Sequence, residues 1–406
     1  METIKTDIAV IGGGAAGLTA AICAARTLRG QGSRAKVTVL EGQQRVGRKL
    51  LATGNGRCNL SATDVSVAHY HTDDLRQLAD ILKEIPDART FFGSLGLLCR
   101  VEEKRLYPYS GQASSVLDCL RRNLTQLGGE EVCDCFVTSV KQQGNGFCVT
   151  SKTHTVYAKR VVIATGGPAA SHLGANDSGI ALAKTLGMHC EPVFASLTPV
   201  CVKSKVLPSL KGIRCRADVR LVCDGVLSAP ESGEVQFTEN ALSGICMFGL
   251  SRRVNEYFLR KTVNGKPCQK LEVSLDLMPE YTLKQIDELM KNKPLEEALC
   301  GVFHKRVAAA LMTVQNEKKA QKISEIVKDC RFTPVRSSEL KDAQVTAGGV
   351  RIRSLGAEMQ AKNCKGIFLA GEILNVDGDC GGYNLHFAWA SGARAGRCAA
   401  QSLMGE

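Results

Sequence analysis

The residues whose types and spacing most directly imply chemistry are Gly12-x-Gly14-x-x-Gly17 and, further on, Glu41. Gly12 allows a tight turn out of a strand. Gly14 lets the backbone approach a pyrophosphate with no Cβ in the way, and Gly17 lets the next helix pack closely on the strand. The N–H groups at the helix start, around Ala15 and Ala16, then face the phosphates. At Glu41-Gly42 a carboxylate accepts hydrogen bonds from two ribose hydroxyls and repels a 2′-phosphate. The predicted ligand is an adenine dinucleotide; the plainer alternative is an ordinary glycine turn in an α/β protein.

Such a site needs a scaffold. Asp7 to Ile11 predicts a strand, Ala15 to about Leu28 an alanine-rich helix, and Lys36 to Glu41 a second, parallel strand. At 406 residues the chain exceeds the length at which one core stops growing, so more than one domain is expected. No run approaches the ~18 apolar residues of a membrane span, and Met1 to Thr6 lacks the regions of a signal peptide. The 18 cysteines are scattered without a C-x-x-C pair. That pattern predicts a reducing cytoplasm, with neither a disulfide framework nor a zinc site. Cys133 and Cys135 are expected on one face of a strand. The net charge of +12 raises nucleic-acid binding, but the basic residues are dispersed and aromatics are few. A solvated surface biased toward anionic ligands is the preferred reading.

After the second strand, Arg48-Lys49-Leu-Leu-Ala-Thr-Gly-Asn55-Gly56-Arg57-Cys58-Asn59-Leu-Ser forms a small-residue loop suited to lying against a flat ligand. This stretch resembles a motif of a bacterial FAD-dependent oxidoreductase family, which includes aminoacetone oxidase and a proposed 3-dehydro-bile-acid delta(4,6)-reductase. The likeness continues at Gly233 to Gly244, at Thr346-Ala-Gly-Gly-Val350 and at Ala370-Gly371-Glu372 through Gly381-Gly382-Tyr383-Asn384. Ile245 stands where the family usually has proline and His386 where it commonly has Gln; both departures bear on substrate identity. The resemblance implies FAD contacts from Arg48, Lys49, Asn55, Gly56, Arg57, Cys58 and Asn59. It also implies contacts from Thr165, Gly166, Gly371, Glu372 and the start of the last helix. The Val137 backbone is expected near the adenine.

The remaining pattern predicts helices over Leu75–Leu95, with an N-cap at Thr72 or Asp73, and over Ala113–Leu127. Strands follow at Val132–Val140, Phe147–Thr150, Thr155–Tyr157 and Arg160–Ala164. The expected fold is α/β: a three-layer, Rossmann-like FAD-binding domain (1–189 and 337–406) interrupted by an inserted region (190–336). The insertion is read as β-barrel-like over about 190–240 and 316–336, and helical over about 241–315. Helices are predicted there at Ser243–Leu259, Leu283–Lys291, Leu295–Gln315 and Lys319–Lys328. Its role is a lid shaping a substrate cavity, or a dimerisation module; the pattern specifies no oligomeric state. Only one phosphate-cradling turn is present, so FAD has a site of its own and NAD(P)H has none. NAD(P)H then docks transiently, or electrons come from elsewhere.

The expected activity is oxidoreduction of a small organic substrate through flavin. It is either reduction of a C=C bond conjugated to a carbonyl, as in a steroid or bile acid, or oxidation of an amine by O₂. A flavin-bearing RNA-binding protein is the alternative from another class. No catalytic residue is assigned. Cys58 and Cys380 are candidate thiols read first as packing residues, Tyr383 is a candidate proton donor, and His386 is read as a packing or surface residue.

Overall fold

Strand register decides where the glycine turn falls. In the computed structural model, which describes residues 1–405, the first strand is Glu2–Ile11. It begins earlier than Asp7 because Glu2 to Thr6 find ladder partners from His154 to Ala158. It pairs in parallel with Val37–Leu40 and with His154–Ile163, so that Ile11 lies opposite both Leu40 and Ile163. Glu130–Val132 adds in parallel outside Val37–Leu40. Ile367–Leu369 adds beside Val161 to Ile163, with Leu369 opposite Ile163. These five parallel strands therefore finish at one edge. Val137–Gln143 and Gly146–Ser151 extend the sheet as an antiparallel hairpin.

One helix pair covers this sheet. The first helix, Ala15–Gly30, and the last, Tyr383–Met404, pack along each other. Their backbones come very close: a Cβ on Gly396 would lie 2.8 Å from the Ala20 Cα, and one on Gly392 would lie 3.1 Å from the Ala16 Cα. Buried Ala16, Ala20 and Ala24 make the other side of that seam, which explains the alanine-rich run of the first helix. Trp389 is fully buried, packs edge-on to Phe92 at 5.2 Å and donates from Nε1 to the Leu60 carbonyl at 2.9 Å.

The chain divides into two compact units, Met1–Val193 with Val345–Glu406, and Phe194–Gln344. The second is built on a closed antiparallel barrel. Its strands run Arg214–Cys223, Glu231–Phe237, Ala241–Ser243, Val200–Lys203, Cys330–Pro334 and Leu271–Asp276, and the last pairs back onto the first. Val219, Val235, Leu242, Val273 and Leu275 fill its interior.

Several expectations are corrected. Leu75–Leu95 is two helices, Leu75–Leu82 and Ala88–Ser94. Pro86 interrupts the chain between them, and each helix has its own aspartate cap. Asp74, not Thr72 or Asp73, accepts from Arg76 and Gln77, and Asp87 accepts from Arg89 and Thr90. Leu295–Gln315 likewise splits into Leu295–Cys300 and Lys305–Glu317. Leu271–Asp276, inside the block read as helical, is a barrel strand, since its short apolar run pairs with Arg214–Cys223. Val132–Val140 breaks around Asp134, which has φ 53°, so Cys133 and Cys135 lie between strands. Thr155–Tyr157 and Arg160–Ala164 belong to one strand, His154–Ile163. Among the described residues one cysteine pair, Cys223 and Cys268, is bonded, a single link and not a framework.

Candidate functional site

Because the parallel strands share an edge, four stretches distant in sequence meet there: Gly12–Gly17, Glu41–Gly42, Thr165–Gly166 and Gly371–Glu372. Glu41 is tied into the glycine turn. Its Oε2 accepts from the Gly13 N–H and its Oε1 from the Gln43 N–H, both at 2.8 Å. Burial pushes the Glu41 carboxyl up against those hydrogen bonds, which pull it down. The Gly47 N–H donates to the Gly13 carbonyl at 2.9 Å, anchoring the start of the Arg48–Ala52 helix beside the turn.

Lys49 reaches across to Glu372, Nζ to Oε2 at 2.6 Å, while the Glu372 Oε1 accepts from the Thr346 N–H at 2.8 Å. Arg48 is bonded to the Gln43 side chain. Thr165 and Gly166 follow directly on the strand end, and Gly371 donates its N–H to the Ser391 hydroxyl at 3.0 Å. Ala15 and Ala16 open the first helix, which has no side-chain cap.

The loop Gly54–Asn59 is held in an unusual backbone. Gly54, Asn55, Gly56 and Cys58 all have positive φ. Cys58 is fully buried, and burial pushes its thiol up to about 12. Arg57 turns away toward Glu102, with both carboxylate oxygens within 2.8 Å, and stacks over the Tyr107 ring at 4.3 Å. The Asn59 Oδ1 is buried without a partner. A Cβ on Gly382 would stand 2.8 Å from it, so this loop and the Gly381-Gly382 turn are adjacent.

At the start of the last helix, the Tyr383 hydroxyl donates to Asp64 Oδ1 at 2.8 Å and its ring stacks on His69 at 4.2 Å. Burial and the Asp64 carboxylate push the Tyr383 phenol well above its ordinary range, and the donated bond holds Asp64 below its own. His69 Nδ1 faces Asp379 Oδ2 at 3.2 Å. Asp64, His69 and Asp379 have no counterpart in the sequence reading; they come together only through the pairing of Tyr70–Thr72 with Val376–Gly378. Asn384 bonds both the N–H and the carbonyl of Gly378, each at 2.8 Å, and so pins that pairing. Cys380 is half-buried, with its thiol pushed up by burial. His386 is buried, with Nδ1 2.8 Å from the Ser61 hydroxyl. Burial drives its imidazole down to about 4, although the Ile85 carbonyl pulls the other way. Val137 opens the antiparallel hairpin and is buried, two residues beyond Cys135, whose N–H donates to the Glu41 carbonyl at 2.8 Å.

A model of the HI0933-like protein Rossmann domain matches residues 6–398. The chain is 33% identical, over 97% of its length and 99% of the other, to the 3-dehydro-bile acid delta(4,6)-reductase of Clostridium scindens. It is 26% identical to the ribosomal RNA dihydrouridine synthase of Escherichia coli, over 95% and 96% of the two chains. Among solved structures, the 3-ketosteroid-delta4-(5alpha)-dehydrogenase of Rhodococcus jostii shares the fold, with a TM-score of 0.54 at 16% identity over 98% and 97% of the chains. No helix among the described residues is long and apolar enough to cross a membrane. The glycine turn at the edge of a parallel sheet, the closed barrel and the full-length match together place this chain in the HI0933-like Rossmann family of FAD-dependent oxidoreductases.

Proposed function

We propose that this enzyme reduces a C=C bond conjugated to a carbonyl in a small molecule of the steroid or bile-acid class, with NAD(P)H as electron donor and a cytoplasmic location. The observation that carries this reading is the likeness to the bile-acid delta(4,6)-reductase across essentially both chains. A dihydrouridine synthase also saturates a C=C bond beside a carbonyl, that of the uracil ring, so both named relatives point to one bond change.

The residues present fit FAD. Beside Gly14 there is open space where a Cβ would meet no protein atom within 4 Å, and the uncapped helix start offers N–H groups to a pyrophosphate. Glu41 retains lone pairs for a ribose, and the unpartnered Asn59 Oδ1 awaits a donor. The contacts proposed are Gly12, Gly14–Gly17, Glu41–Gly42, Lys49, Asn55, Gly56, Cys58, Asn59, Thr165–Gly166, Gly371–Glu372 and Gly381–Tyr383. Bound FAD supplies hydride transfer to the β-carbon of the enone. The chain's own task is the proton for the α-carbon. Tyr383 holds one at its hydroxyl, kept neutral by burial and the Asp64 carboxylate, and Asp64 orients it. Lys49 bridging to Glu372 keeps two strand-end loops together around the cofactor.

The test is anaerobic stopped flow. NAD(P)H should bleach the flavin, and a 3-keto-4-ene steroid should restore its colour. In Tyr383→Phe, bleaching should persist while recolouring slows by about 10²-fold or more. An enone that never recolours the flavin would overturn the reading. A second reading, reduction of uridine in ribosomal RNA, is favoured by the +12 net charge and the full-length synthase relatives. Recolouring by ribosomal RNA and not by the steroid would establish it instead.

A further inference from the structure

The barrel carries a disulfide, Cys223–Cys268. Cys223 ends the strand Arg214–Cys223, next to the exposed Asp224-Gly225 turn. Cys268 lies just ahead of the strand Leu271–Asp276, fully buried. Their Cα atoms are 5.7 Å apart across a sequence separation of 45. The other described cysteines are free thiols, several of them buried.

We propose that Cys223–Cys268 is a reversible thiol–disulfide exchange site, opened by low-molecular-weight thiols of the glutathione class. Three observations carry this. First, the two sulfurs are unequal in access. Cys223 is half-buried at the end of a hairpin, so an external thiolate has one sulfur to attack, whereas Cys268 is enclosed. Second, the bond is not what holds its neighbourhood together. Cys223 already pairs in the ladder with Leu271, the Cys268 N–H donates to the Lys261 carbonyl at 3.0 Å, and Asp224 accepts from the Gln269 and Lys270 N–H groups at 3.1 and 2.8 Å. With the bond open, those contacts keep the two thiols facing each other, so re-formation is an intramolecular step. Third, a chain with this many free thiols suits a reducing medium, where an accessible disulfide exchanges with the thiol pool.

The chemistry balances. The external thiolate attacks Cys223 Sγ, forming a mixed disulfide, and Cys268 Sγ leaves as a thiolate that takes a proton from water. A second external thiol then attacks the mixed disulfide. This releases Cys223 as a thiol and the small molecule as its own disulfide, two electrons having passed to the protein. Oxidation by that small disulfide runs the same steps backwards.

The test uses the intact flavoprotein equilibrated without denaturant in glutathione buffers of graded ratio, then quenched with acid, unfolded, alkylated and read by peptide mass spectrometry. The expected result is a titration in which Cys223 and Cys268 gain label together and lose it again on reoxidation. The far-ultraviolet circular dichroism should stay unchanged, while hydrogen exchange in Thr262–Asp276 should rise in the reduced form. A pair that stays unlabelled across the whole range of glutathione ratios would overturn the proposal, as would two thiols that never join under oxidised glutathione. A Cys223→Ser, Cys268→Ser double variant should match the reduced form in hydrogen exchange. If it fails to fold, the wild-type titration still decides.

Discussion

Replacing Gly14 by alanine separates cofactor binding from folding, because this glycine is held open by nothing in the protein. Its φ is −85° and its ψ −167°, a conformation open to any L residue. A Cβ there would find no atom within 4 Å. Gly14 is the N-cap of the first helix, where alanine is poorer than glycine by a few tenths of a kcal/mol or more. Against that, the change to alanine restricts the unfolded chain, worth about 0.4–1 kcal/mol. The two offset, leaving the apoprotein's stability within about 0.5 kcal/mol of wild type. The cofactor fares differently. The methyl group occupies the approach to the helix start, and losing a hydrogen bond to a charged phosphate costs about 1.5–3 kcal/mol, roughly 10- to 100-fold in Kd. Gly17→Ala is the control. Its Cβ would fall on the Gly12 carbonyl oxygen, so the helix must shift, at about 1–3 kcal/mol. Each kcal/mol lowers Tm by about 2–4 °C in a unit of this size. Calorimetry of the two apoproteins and FAD titration by fluorescence quenching give the comparison. A Gly14→Ala protein that binds FAD as wild type does, or one that loses as much stability as Gly17→Ala, would refute the reasoning.

Glu41→Ala should weaken FAD by about 1–3 kcal/mol, read by the same titration; unchanged affinity would remove the ribose assignment. Cys58→Ser should keep FAD and lower turnover without abolishing it, since the buried thiol is protonated at neutral pH. A variant that is dead in product formation but still reducible by NAD(P)H in stopped flow would make Cys58 a catalyst. His386 should make stability depend on pH. Its folded value, about 4, lies below the ordinary 6.5, so the unfolded chain takes the proton first. Stability is then complete above about pH 6.5 and falls as pH drops toward 4, by up to about 3 kcal/mol. His386→Gln should flatten that slope in Tm measured from pH 7 to 4.5, and an identical slope in the variant would refute it.

The glycine turn, the strand before it and the acid at the end of the next strand were legible in the sequence, because each is set within a few residues. A turn needs Gly at a fixed offset, a buried parallel strand needs a continuous apolar run, and both patterns survive whatever the rest of the chain does. The loop from Arg48 to Ser61 and the stretch from Ala370 to Asn384 were legible as motifs for the same reason.

What stayed hidden depends on partners far along the chain. Arg57, a cofactor candidate by sequence, is claimed by Glu102 and Tyr107, and Asn384 by the Gly378 backbone. Tyr383 acquires its carboxylate and its histidine only when Tyr70–Thr72 pairs with Val376–Gly378. Leu271–Asp276 is a strand because Arg214–Cys223 presents an open ladder to it, and the same closure brings Cys223 to Cys268. A hydrophobic period records which face of an element is buried, not what is buried against it. The sequence alone therefore determined the kind of cofactor site and the family. The tertiary structure decided which polar groups are left free in that site, because hydrogen-bond partners are assigned by register and packing across hundreds of residues.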